Sequence, residues 1–279
     1  MSKFEELNSA RLPIKPSAAE WLSVVDEQFR NKDFKHARDY VLQGLENFPN
    51  HQQLLDRLFI VDQRWDIPIS GRKIHLTIPA EDDFSFLQQC YANEVFMERF
   101  LPMGRRKQTP ESIRFVLQHR DFSVAKSRTL HWIIKKEACT DAPQLTSNIQ
   151  LKPVGLASLI DIQIAHRRAE LLVGIPGSQD RKKTSAIAML LILDFAFNHI
   201  GLHKLTSTVI ANNQHSQKST LAAGFCQEGL RRQHLRDPKS RAWLDCYENG
   251  LIEDHFRESP VIARMSQRLL GRDITKKPF

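Results

Sequence analysis

Residues 188–205, AMLLILDFAFNHIGLHKL, and residues 212–225, NNQHSQKSTLAAGF, govern how the chain is read. Ala188, Leu191, Ile192, Phe195 and Ala196 recur at helical spacing, and Gly201 follows where a left-handed residue commonly ends a helix. The pattern predicts a helix over 185–199. Residues 204–211 then alternate as a strand, and a shorter helix over 216–223 stops at Gly224. Upstream, residues 170–175 have strand character and lead into a short basic loop, so the order is strand, loop, helix, strand, asparagine, short helix, Gly-Phe.

Working outward, residues 73–78 alternate like a strand and a helix is expected over 81–99. Thr109, Pro110 and Glu111 supply a cap, a first-turn proline and an early acid for another helix. Residues 130–135 and 154–160 read as successive strands joined by a polar insertion over 137–150. Further strands are expected at 229–235 and 243–247, followed by a basic tail after Phe256. This order implies an α+β fold with a mainly antiparallel central sheet flanked by helices.

Residues 17–65 are different. Trp21, Leu22, Val25 and Phe29, then Ala37, Val41, Leu45 and Phe48, fall at helical spacing, with a break at 31–33 and Pro49 at the end. This stretch resembles one tetratricopeptide repeat, with a third helix over 52–64 as its cap. A lone repeat has too little neighbour to bury its core, so it is expected to lean on the next domain, on another chain or on a protein partner, and self-association is one expected use. Pro68 and Gly71 mark a boundary. The expected division is a small all-α domain over 1–66, a larger α+β domain over 67–258 and a basic, partly helical tail over 259–279.

The composition of the 279 residues, 41% hydrophobic and 26% charged, is that of an ordinary soluble globular chain. The net charge of +8 is uneven, because residues 1–66 hold 9 basic and 11 acidic residues against 31 and 21 in the remainder. A basic second part suits phosphate-rich or acidic ligands without choosing among them. Residues 1–16 read as neither leader nor anchor, and no run approaches a membrane span, so a cytoplasmic location is expected. Cys90, Cys139, Cys226 and Cys246 lie far apart and read as small hydrophobes, with no metal-ligand spacing. His199 and His203 are separated by the helix-ending Gly201, which argues against a metal pair.

The two opening blocks, together with EGLRR at 228–232, resemble the GNAT superfamily of N-acetyltransferases, in the branch of ribosomal-protein N-terminal and amino-sugar acetyltransferases. The resemblance covers about 190 residues. It implies a GNAT-like mixed sheet and direct transfer of an acetyl group from acetyl-CoA, as co-substrate and without a metal, to a primary amine. A protein N-terminus or a nucleotide-linked amino sugar would be the acceptor. It also implies that Leu172, Val173 and Ile175 pair with the pantetheine arm from a strand that splays from its neighbour. An amide near Val173 would polarise the thioester carbonyl.

By the same match, Asp180, Arg181, Lys182, Lys183, Thr184 and Ser185 would meet the pyrophosphate at a helix start. The family places glycines in this loop. Here it has none, so backbone clearance is lost while three cations are gained. Asn213 and Ser216 match a cofactor-contacting amide and a hydroxyl that protonates the departing thiolate, although Ser216 would equally serve as an N-cap. Thr220 stands where many relatives have tyrosine, and Thr208 where several have an acid. Glu170 and His234 remain as candidate bases. Two other readings stand beside this one: a degenerate GNAT scaffold acting as a binding module, and an acyltransferase fed by acyl carrier protein.

Overall fold

A computed structural model describes residues 16–61, 65, 67–101, 108–119, 128–138, 150–177, 181–237 and 239–277. The chain divides into two compact units between residues 63 and 64. Trp65 therefore belongs to the second, where its ring lies 6.3 Å from Phe195.

The first unit has three helices, α1 Ala18–Arg30, α2 Phe34–Asn47 and α3 Gln52–Val61. Ser17 and Glu20 form a reciprocal capping box at the start of α1. Asp33 caps α2 by accepting from the His36 amide at 3.2 Å. Trp21, Val25, Ala37, Val41, Leu54 and Phe59 close the interior. Gly44 is small by necessity, because a Cβ there would lie 3.1 Å from Leu54 and 3.2 Å from Trp21. Arg57 holds Asp26 through two hydrogen bonds, at 3.0 and 3.1 Å, tying α3 to α1.

The second unit begins with β1 Ile69–Gly71 and β2 Ile74–Thr77, then a single 3-10 turn at Glu81–Asp83. The helix expected over 81–99 is two helices, α4 Phe84–Ala92 and α5 Glu94–Phe100. Asn93 separates them: it ends α4 and its side chain caps α5 by accepting from the Phe96 amide at 3.0 Å. After α6 Pro110–His119 come β3 Leu130–Glu137, β4 Leu151–Gln163 and β5 Arg168–Gly174. Most of the polar insertion lies outside the described residues.

The helix α7 Arg181–Asp194 continues as a π-helical turn, Phe195–Ile200, and ends at Gly201 with φ 80°. Then come β6 Lys204–Ile210, α8 Gln214–Ala222, β7 Cys226–Arg236 and β8 Trp243–Ile252. The last elements are α9 Glu253–Glu258 and α10 Pro260–Leu270. By length and composition Lys183–Ile200 is apolar enough to cross a membrane, contrary to the expectation that no run comes close. It is 67% buried inside the fold, so its apolar surface is already covered by protein.

The eight strands form one sheet in the order β1-β2-β3-β4-β5-β6-β8-β7. Every neighbouring pair is antiparallel except β5 and β6. Cross-strand partners share a face. Trp132, Ala157 and Val173 form one row, and its face carries α7, where Trp132 meets Phe195 edge-on at 5.5 Å. His131, Ser158 and Leu172 form the next row, on the opposite face. That second face also presents Ile133 and Leu156 to α4, α5 and α6 in a cluster with Leu87, Phe100, Ile113 and Leu117. Both faces of β3 and β4 are thus covered, which explains their near-continuous apolar runs.

The expected basic tail is an integral part of this unit. Ser259 caps α10 by accepting from the Ile262 amide at 3.2 Å, and Ile262, Ser266 and Ile274 are buried. Phe256 stacks on Phe197 at 4.6 Å, while Arg272 pairs with the buried carboxylate of Asp194. Cys90 and Cys246 are buried, as small hydrophobes should be, and burial pushes the Cys90 thiol up to about 12. Cys226 departs from that expectation and is exposed on β7; Cys139 lies outside the described residues.

Candidate active site

The parallel pairing of β5 with β6 covers only Arg168–Lys204, Ala169–Leu205 and Glu170–Thr206. Beyond these three rungs both strands run on, β5 to Gly174 held by β4 and β6 to Ile210 held by β8. The sheet therefore forks between Glu170 and Thr206. At the crotch, the Glu170 carboxylate accepts from the Thr208 amide at 3.1 Å, so an ionisable side chain replaces the next rung.

The fork opens into a cleft of about 490 Å³. One wall is the end of β5 with the two residues beyond it: Val173, Gly174, Ile175 and Pro176. A second is the N-terminal part of α7, with Ser185, Ala186 and Met189. The third is α8, with Asn213, Ser216, Ser219 and Thr220. Phe96, Arg99 and Phe100 of α5 and Met265 of α10 complete it. Among the described residues no lining side chain is acidic, and Arg99 and His215 are the basic ones, a balance that suits an anionic ligand.

Local chemistry fixes these walls. Phe96 and Phe100 stack at 5.5 Å over Gly174, where a Cβ would come within 2.7 Å of Phe100 and 2.8 Å of Phe96. Any side chain at Gly174 would drive the rings away from the strand. Helix α8 is held by a buried reciprocal amide pair: Gln217 donates to Asn249 at 2.8 Å and Asn249 donates back at 3.0 Å. Asn249 also donates to the Ser207 carbonyl at 3.0 Å, just past the fork. Such a pair leaves no buried amide unsatisfied and sets α8 at one height against β6 and β8. Gly224, with φ 96°, lets Ile262 of α10 pack where a Cβ would be 2.8 Å away.

Several residues expected from sequence meet here. Val173, Ile175, Ser185, Asn213 and Ser216 line the cleft. The N-cap of α8 is Asn213, whose side chain accepts from the Ser216 amide at 3.3 Å, so Ser216 sits inside the first turn and is not the cap. Thr220 lines the cleft from one turn further along. Others are placed elsewhere. Leu172 faces a separate cavity, lined with side chains of α4, α6, β3 and β4. Thr184 is buried within α7 and Lys183 is exposed; Asp180 and the side chains of Arg181 and Lys182 lie outside the described residues. His234 is on the edge strand β7, 3.1 Å from Arg231, and is not among the cleft residues. Glu170 stands at the crotch. Among the described residues no cluster of three His, Cys, Asp or Glu side chains could hold a metal ion.

Sequence reasoning missed His131 and Ser158. Their side chains lie 2.7 Å apart, with His131 Nδ1 against Ser158 Oγ, and both face the second cavity, of about 160 Å³. Burial lowers the His131 pKa from its ordinary value. Only the register of β3 against β4 brings residues 27 apart into one row, and no spacing motif announces it.

No protein-family profile matches the chain, and neither does any curated protein. Solved structures do match. RimJ of Mycobacterium smegmatis in complex with CoA-disulfide is 18% identical, with 74% of this chain and 94% of that one covered at a TM-score of 0.55. The spermidine N-acetyltransferase of Vibrio cholerae, in complex with CoA and spermine, is 17% identical, with 66% and 97% covered at 0.51. The second unit thus has the fold of GNAT-type acetyltransferases, with the mixed, mostly antiparallel sheet expected.

Proposed function

We propose that the chain is an acetyl-CoA-dependent N-acetyltransferase that transfers the acetyl group directly to a primary amine. The observation that carries this reading is the fork: a strand end with one edge unpaired by β6, opening into a cleft that has no acidic side chain among the described residues. An extended pantetheine arm would add to β5 as a further strand, and that mode depends on backbone groups and not on side chains. The Val173 amide would polarise the thioester carbonyl as the amine nitrogen bonds to it. As the carbon–sulfur bond breaks, the Ser216 hydroxyl would give its proton to the thiolate and be recharged by the proton the amine sheds. Asn213 would turn its side-chain amide toward the cofactor.

The departure from the family's glycine loop is tolerated in this reading because backbone donors at the start of α7 survive any side chain. The RimJ and spermidine N-acetyltransferase structures, crystallised with CoA-disulfide and with CoA, share the fold and support a CoA thioester as donor. The acceptor would be a protein N-terminus or a nucleotide-linked amino sugar. The helical unit, with its tetratricopeptide-like pattern, would serve as a docking element for a protein partner.

The test is a thermal melt with CoA, paired with CoA-release assays using acetyl-CoA and a set of amines. A ligand that binds only the native state must raise the melting temperature with its concentration. Stabilisation together with amine-dependent CoA release is expected; no stabilisation at millimolar CoA would leave the binding-module reading in its place.

A further inference from the structure

The cavity behind Leu172 has properties unlike those of the cleft. It is about 160 Å³ and is lined by apolar side chains of α4, α6, β3 and β4, among them Leu87, Ile113, Leu117, Ile133 and Leu156. Its polar side chains are Gln108, Tyr91 and the His131–Ser158 pair, and the last two already satisfy one another at 2.7 Å. Among the described residues none of its lining side chains is a carboxylate. Burial favours the neutral form of His131, so the described lining residues carry no formal charge near neutral pH.

Its position ties it to the fork. Leu172 lines the cavity, while the next two residues of β5, Val173 and Gly174, line the cleft, so residues about 3–7 Å apart along one strand line the two compartments. Phe100 is a wall of both. Glu170, two residues before Leu172 and on the same face, accepts from the Thr208 amide at the crotch of the fork. A group held in the cavity would have its neighbouring atoms at the mouth of the fork.

We propose that this cavity is the acceptor subsite, and that the acceptor is a primary amine bearing one compact apolar group, such as the free N-terminus of a chain beginning with Met, Leu or Phe. This rests on the acetyltransferase reading above. A cavity of roughly 150 Å³ takes a benzene-sized body, whereas a nucleotide-linked sugar is far larger. A polyamine has a second cation to pair, and the wall, among the described residues, offers no acid to meet it. The apolar side group would fill the space beside Leu117 and Ile133, leaving the amine on the Leu172 side, toward the fork.

The experiment compares kcat/KM for acetyl-CoA with tripeptides beginning Met, Leu, Phe, Gly or Lys, with spermine and with a nucleotide-linked amino sugar. It uses the full chain and the variant Val116→Trp, and the CoA-induced melting shift is recorded for both proteins. Val116 lines the cavity yet is 48% exposed, so the larger ring narrows the opening without being forced into the core. Support requires that the apolar-first peptides exceed the other acceptors by at least about tenfold, a preference one apolar pocket can supply. Val116→Trp should then erase that preference while its CoA-induced shift is retained. If CoA stabilises the protein but spermine, the sugar or the Gly-first peptide is used as well or better, or no amine is used, the acceptor assignment is overturned and the donor site stands. If CoA gives no shift, the donor reading fails and takes this assignment with it.

Discussion

The carboxylate of Glu170 accepts a hydrogen bond from the Thr208 amide at 3.1 Å, across the point where β5 and β6 part. A charged acceptor there satisfies an amide that continued parallel pairing would otherwise have used. Such bonds contribute about 1.5–3 kcal/mol, more than a neutral pair. Glu170→Gln keeps an acceptor and should leave the melting temperature close to that of the parent, whereas Glu170→Ala should lower it. Turnover separates position from charge: if the glutamine variant is as slow as the alanine variant while melting normally, the carboxylate serves the amine and not only the fold.

Asn213 and Ser216 are coupled through one backbone bond, and their substitutions should differ in kind. Loss of the cap in Asn213→Ala is expected to cost about 0.5–2 kcal/mol, whereas Asn213→Ser retains a capping oxygen. Ser216→Ala removes only a hydroxyl in the cleft and should melt like the parent. Turnover with acetyl-CoA is expected to fall by about 10²–10⁴ in Ser216→Ala, the usual contribution of a positioned proton donor. Unchanged rates in both Asn213→Ser and Ser216→Ala would move the thiolate donor away from α8.

At Gly174 one methyl group is enough to disturb the donor site. The Cβ of Gly174→Ala would stand 2.7 Å from Phe100 and 2.8 Å from Phe96, and forcing such contacts typically costs about 1–3 kcal/mol. The displaced rings would narrow the cleft they line. Calorimetry should record weaker CoA binding by this variant, and binding equal to the parent's would show that the aromatic pair does not bound the ligand.

His131 should make stability depend on pH in a defined direction. Its pKa in the folded chain lies below the ordinary value of 6.5 because burial disfavours the cation. As pH falls below that value, the unfolded chain takes up the proton first, so the stability present above it is lost progressively down to the folded pKa. Melting temperatures of the parent and of His131→Gln are to be compared at about pH 7.5 and about pH 5. The parent's advantage should shrink toward the lower pH; a constant difference would place His131 in a better-hydrated setting than the cavity provides.

Much of the architecture is legible because it is written in local pattern. The stripe from Ala188 to Ala196 announces α7, and the alternation after Lys204 announces β6. Where pattern and structure part, the cause is specific. Apolar spacing runs through Asn93, from Leu87 and Cys90 to Phe96 and Phe100, so one helix is expected where a capping side chain makes two. Ser216 has the chemistry of a cap, but Asn213 three residues earlier takes the bond. The near-helical spacing over 261–270 is visible, yet its burial against Gly224 and the entry of Met265 into the cleft wall are tertiary facts. His131 and Ser158 are ordinary residues until strand register makes them neighbours.

The three parallel rungs form a narrow isthmus in the hydrogen-bond ladder, with five strands on one bank and three on the other. A molecule lodged in the fork would act as a strut between the two slabs, stiffening a seam that backbone pairing alone holds loosely. Slower amide exchange in Lys204–Thr206 on ligand addition would register that bracing, even for an occupant whose chemistry is never turned over.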